Sequence, residues 1–228
     1  MTGVQEAIGR LGFLLYPAAL AGLAFRRRLG ACYAFSGYLA AVFVADVLVL
    51  LWPGRFYRWQ FWIAKEAVHS VLKLAIALEL AVRTFGAFPG AQAAARRLLV
   101  IVVVLTYAAV LAVPVEPEYK VLAGTVLPRI LNGTIWLFTA VAGLVLWYRL
   151  PVDPLHKAIL LGLVPYLLVF TMALNALDAF GWDLRDPLAY VHTGAYLALL
   201  IYWTYAAWRP QEAPSGAPVR ARNLHQPV

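Results

Sequence analysis

Charge is scarce in this sequence: only 13% of its 228 residues are Asp, Glu, Lys or Arg, about half the share in ordinary soluble domains. With 63% hydrophobic residues and a mean hydropathy of +0.75, the chain is too apolar for one soluble globular domain. A single cysteine, Cys32, excludes an intramolecular disulfide, leaves the redox compartment open and reads as a small buried hydrophobe. Strict apolar–polar alternation is missing, and continuous runs such as LLVIVVVLTYAAVLAV exclude a membrane β-barrel. The first apolar run has no basic stretch before it and is followed by Arg26-Arg27-Arg28. It therefore reads as a retained helix and not as a cleaved signal.

What is present is a series of long apolar runs. Seven of them, at Glu6–Phe25, Leu29–Trp52, Gln60–Val82, Ala95–Val113, Thr125–Tyr148, Leu155–Ala179 and Leu188–Trp208, can each cross the ~30 Å hydrocarbon layer as a helix. The expected fold is all-α, a polytopic integral membrane bundle of seven transmembrane helices over residues 1–209. Residues 210–228 hold four prolines and no apolar periodicity, as expected of a disordered cytoplasmic tail. Seven spans permit a 3+1+3 arrangement, in which spans 1–3 match spans 5–7. YLAAVFVADVLVLLW in the second span and YLLVFTMALNALDAF in the sixth are the resemblance behind it.

Placing the N-terminus outside puts eleven basic residues on the inner side and five on the outer, so the positive-inside rule gives N-out, C-in. The net charge of +8 is then topology signal plus attraction to anionic lipid heads, and nucleic-acid binding is not expected. The lipid bilayer is the surrounding partner, in the cell (inner) membrane, and the basic cytoplasmic face suits a protein partner.

The third span breaks the apolar pattern. Lys65, Glu66, His69, Ser70 and Lys73 fall within an arc of roughly 140° at 100° per residue. Each charge at the bilayer centre costs about 3 kcal/mol, so this arc turns toward other helices or a wet cavity. At about 1.5 Å per residue, Lys65, Glu66 and Asp46 lie roughly 9 Å below the outer surface. Arg129 and Asn132, Asn175 and Asp178, and His192 occupy the outer halves of the fifth, sixth and seventh spans. Asp46 matches Lys65 by sign and depth, and Glu66 matches Arg129. Glu79 and Arg83 read as an ordinary i,i+4 surface pair. Pro165, well inside the sixth span, is the expected hinge.

The expected function is therefore an outward-facing polar pocket in a ligand- or pH-responsive sensory or binding module. Its residues are Asp46, Lys65, Glu66, His69, Lys73, Arg129, Asn175, Asp178 and His192, and its ligand is small and polar or anionic. The alternatives are a small-solute or proton-coupled transporter and a structural subunit of a membrane complex. No catalytic set is apparent, and an enzyme is not expected. No cofactor is expected either: a zinc hydrolase needs three ligands, and only His69 and His192 lie within spans. The same pair is the one candidate for a bis-histidine haem b. Seven-helix hydrolases of the adiponectin-receptor type share only the helix number, because their histidine motifs are missing. Microbial rhodopsins share the N-out plan, but the seventh span has no lysine for retinal. Sugar-efflux and PQ-loop transporters share number and size, but no span holds Pro-Gln.

Overall fold

The computed structural model describes residues 3–85, 97, 101, 134–136, 138–143 and 153–210. Helix α1 (Gly3–Phe25) is joined by a 3-10 turn at Leu29–Ala31 to α2 (Tyr33–Leu51). A short α3 (Pro53–Phe56) leads into α4 (Trp59–Phe85). Helix α5 (Pro154–Phe180) connects through a 3-10 turn at Trp182–Leu184 to α6 (Arg185–Trp208). No strand occurs among the described residues.

Three helical segments, Ile8–Phe25, Tyr33–Leu51 and Pro154–Leu177, are long and apolar enough to cross a membrane. They coincide with the first, second and sixth expected spans. The third and seventh correspond to α4 and α6, of 27 and 24 residues, which are long enough but too polar to stand alone in lipid. Lys65, Glu66, His69, Lys73 and Glu79 lower the hydropathy of α4, and His192, Thr193, Thr204 and the tyrosines that of α6. Such helices belong inside a bundle. The fourth span lies outside the described residues except for Arg97 and Ile101. Of the fifth, only an apolar helical stretch within Thr134–Gly143 is described. The 3+1+3 comparison and the tail from residue 211 fall outside the described residues.

The five long helices pack in the spatial order α4–α2–α1–α6–α5. Helices α1 and α6 run parallel, with Gly12 against Leu200 and Gly22 against Trp208, while α2 pairs antiparallel with α4 and α5 with α6. The bundle thus has an upper end, formed by the start of α1, the end of α2, α3 and the starts of α4 and α6. Its lower end holds the Arg26–Arg28 turn. Leu23, Phe35, Leu39, Ile76, Leu80, Ile159, Leu163 and Trp203 are fully buried between them. Phe35 meets Trp203 edge to face at 4.9 Å. Gly162 lets Trp203 approach α5, since a Cβ there would lie 2.8 Å from Trp203 Nε1. Helix α5 runs through Pro165 as one element, with that residue on its exposed face.

The lower end is held by polar side chains that cap helices other than their own. Helix α2 begins after Cys32 without a side-chain cap from its own strand of sequence. Its first N–H groups, Tyr33 and Ala34, instead donate to the Glu79 carboxylate of α4 at 3.0 and 2.8 Å. Arg83 fixes that carboxylate at 2.7 Å and donates to Gly30 O. Glu79–Arg83 is therefore a pair, as expected, but also an interhelical cap that satisfies orphan donors. Across the same turn, Arg28 pairs with Asp153 at 3.0 Å, and Asp153 caps α5 by accepting from Leu155 N–H at 2.7 Å. Arg27, with φ of 56°, ends α1 in the left-handed region and turns the chain toward these contacts.

Candidate binding cavity

A cavity of about 1070 Å³ opens at the upper end of the bundle. Helix α1 contributes Arg10, Phe13 and Leu14, α2 contributes Asp46, Val49 and Leu50, and α6 contributes Arg185. The rest of the wall is Gly9 of α1, Phe56 of α3, Tyr57 and Arg58 of the turn that follows it, and Phe61, Trp62 and Lys65 of α4. The lining thus holds four cations, one carboxylate and five aromatic rings. The local fold explains the arrangement. Pro53 starts α3 at the first helical position, where its missing N–H costs nothing. The resulting one-turn element folds Phe56 over Phe61, with ring centroids 5.1 Å apart, and so brings Arg58 to the rim.

The residues expected at the site divide into three groups. Asp46 and Lys65 line the cavity together, but the ion pair of Lys65 is with Glu66 at 3.7 Å. Glu66 thus has a partner on its own helix, and Arg129, its expected partner, lies outside the described residues. His69 and Lys73 continue downward from Glu66 into the interior, both buried. Asn175 departs from expectation: it lies on the exposed face of α5 and does not line the cavity. It stands nine residues from Tyr166, about 180° around the helix, and Tyr166 is the residue that turns inward. Asp178 lies in the last turn of α5, with its side chain outside the described set.

His192 is half-buried on α6, and its Nε2 is hydrogen-bonded to the Tyr166 hydroxyl at 3.0 Å. Phe170 covers the imidazole at 4.5 Å between centroids. On the other side of the interior, His69 meets the edge of Tyr38 at 5.9 Å. Between them the Tyr16 hydroxyl donates to Tyr196 at 2.9 Å, and Tyr196 and Tyr38 share a hydrogen bond of 3.2 Å. The Tyr196 ring packs on Tyr166 at 5.1 Å. A bis-histidine haem does not fit this arrangement, because tyrosine rings link the two imidazoles and His192 Nε2 is already engaged. Among the described residues, no three His, Cys, Asp or Glu side chains group as metal ligands.

Sequence reasoning missed two features. Arg10, Arg58 and Arg185 were counted only as topology-setting charges, although each sits within a few residues of Phe or Tyr at a span end. Tyr16, Tyr38, Tyr166 and Tyr196 were not singled out, although all four lie deep inside spans, away from the interfacial depth where membrane tyrosines concentrate. A buried tyrosine hydroxyl needs a partner, and four of them forecast an internal network.

The polar column ends below Lys73. Ile76, Ala77 and Leu80 occupy the next turns of α4, and they meet Phe35, Leu39 and Trp203 in one continuous apolar core. Among the described residues the Thr204 hydroxyl of α6, bonded to Leu200 O and Leu15 O, sits beside this layer, and charged side chains reappear at the level of Glu79. Compared with protein-family models, curated proteins and solved structures, the chain matches none.

Proposed function

We propose that the chain is a seven-span integral membrane protein of the cell membrane, N-terminus outside and C-terminus cytoplasmic. Its upper cavity opens outward and binds a small anion with an apolar or aromatic body, making the protein a ligand-responsive binding module. The observation that carries this reading is the cavity's lining, which holds Arg10, Arg58, Lys65 and Arg185, one carboxylate, Asp46, and five aromatic rings. Cations at the rim attract and orient an anionic group, and the aromatic wall removes apolar surface from water at roughly 25 cal/mol per Å². The volume suits a ligand of drug-like size.

The apolar layer that the described helices form under Lys73 supports binding over transport, because a permeation route needs polar contact with both faces. Phe35, Ile76, Leu80 and Trp203 are each at most 1% exposed.

The test is thermal unfolding of the purified protein in detergent with phenyl phosphate, benzoate, inorganic phosphate and benzylamine. A ligand at about 100 times its Kd stabilises by about 2.7 kcal/mol. The two aromatic anions should raise the Tm saturably, and Arg58→Ala with Arg185→Ala should abolish the rise. Equal stabilisation by benzylamine, or none by either aromatic anion, refutes the reading. Saturable entry of phenyl phosphate into proteoliposomes, above protein-free vesicles, would replace it with a transporter.

A further inference from the structure

The upper cavity reaches the side of the bundle as well as its top. Leu14 of α1 lines it, yet Leu14 is 63% exposed. Nine residues separate Leu14 from the fully buried Leu23, which sets the two about 180° apart around the helix. Leu14 instead shares its face with Ala21 and Phe25, seven and eleven residues on and both exposed. The contacts of α1 with its neighbours lie on other faces: Gly12 meets Leu200 of α6, and Phe13 meets Phe43 of α2 with ring centroids 5.2 Å apart. In a membrane the Leu14 face of α1 is therefore the one turned to lipid, and the cavity extends to it. Leu50 of α2, a second cavity residue, is exposed too.

Charge and apolar surface are layered along this opening. Arg10 stands one turn above Leu14, about 6 Å nearer the upper end. Arg58 and Arg185 belong to the turn before α4 and the start of α6, which form that end. Trp52 and Tyr57, both well exposed, stand at the same end, as aromatic residues do where membrane meets water. Cations at headgroup depth above an exposed leucine at hydrocarbon depth fit an amphiphile that lies in the bilayer. We propose that the occupant is an anionic membrane amphiphile, an alkyl phosphate or alkyl carboxylate drawn from the surrounding leaflet. Its head lies among Arg58 and Arg185, and its chain passes over Leu14 into the lipid. This inference rests on the binding reading above and names the ligand's class. Because the chain stays in apolar surroundings throughout, the cations and not the chain set the selectivity.

Photolabelling of the full-length protein in phosphatidylcholine nanodiscs tests this. The probe is dodecyl phosphate with a diazirine at the chain end, and dodecanol with the same diazirine is the uncharged control. The expected result is saturable labelling of α1 within residues 13–25 by the phosphate probe, suppressed by excess phenyl phosphate. In Arg58→Ala/Arg185→Ala that labelling should fall roughly tenfold, through loss of charge-assisted hydrogen bonds. The dodecanol probe should label lipid-facing helices without saturating, and phenyl phosphate should not displace it. If the double variant does not fold, competition by phenyl phosphate on the parent protein decides the matter. Should phenyl phosphate raise the Tm yet fail to displace the phosphate probe, the amphiphile is overturned while the binding reading stands. Labelling by the two probes that is alike in position and saturation also overturns it. If neither phenyl phosphate nor benzoate raises the Tm, the binding reading fails and this inference falls with it.

Discussion

Replacing Glu79 by Ala removes more than an ion pair. The carboxylate accepts from Tyr33 N–H, Ala34 N–H, Arg83 Nε and the Cys32 thiol, at 3.0, 2.8, 2.9 and 3.4 Å. A surface Glu–Arg pair at i,i+4 is worth only about 0.3–0.5 kcal/mol. An N-cap is worth about 1 kcal/mol, and each hydrogen bond to a charged group about 1.5–3 kcal/mol before solvent compensates part of it. Water reaches this site, since the Glu79 side chain is 18% exposed, so the expected loss for Glu79→Ala is about 2–4 kcal/mol. Glu79→Gln keeps an oxygen toward α2 and should lose about half as much. Arg83→Ala should lose under about 1.5 kcal/mol, because the cap itself survives. Reversible unfolding in mixed micelles measures all three. A Glu79→Ala loss below about 0.5 kcal/mol, or one equal to Arg83→Ala, would refute the capping argument and restore the plain surface pair.

Asp153→Ala should cost about 3 kcal/mol, because it strands Arg28, only 8% exposed, and uncaps α5. Asp153→Asn, which retains the cap, should cost distinctly less in the same unfolding assay. Gly162→Ala should destabilise by about 1–3 kcal/mol through overpacking against the fully buried Trp203, read as a lowered Tm. Gly22→Ala should be milder, because its obstruction, Trp208 at 2.8 Å, is 41% exposed and has space to move.

The polar face of α4 was legible in the sequence because charge inside an apolar run is unusual enough to mark an interior. The helical class followed from the apolar runs. Lys65 and Asp46 were grouped by depth, since rise per residue places side chains along the helix axis, and both line the cavity. Depth says nothing about azimuth on other helices, and so Asn175 was assigned to the site although it faces outward. Glu79 was underestimated for a related reason: its second role depends on which helix end lies beside it, and intrahelical spacing cannot report that. Arg28 was read as one of three topology charges, whereas its burial against Asp153 depends on the left-handed turn at Arg27. The cavity's arginines escaped notice because charges near the span ends were weighed only by sign, and α3, at four residues, is too short to leave a periodic signal.

The proposed function requires a cavity open to the outer face and closed toward the inner one. In a Cys32→Ser background, Arg185→Cys and Lys65→Cys line the upper cavity, and Ala77→Cys lies in the apolar layer beneath. Labelling with a membrane-impermeant cationic thiosulfonate in right-side-out and inside-out vesicles reads access from each side. The account predicts that Arg185→Cys and Lys65→Cys react only from the outside, that phenyl phosphate slows them, and that Ala77→Cys reacts from neither side. Reaction of the cavity cysteines from the inside, or reaction of Ala77→Cys from both sides, would contradict it.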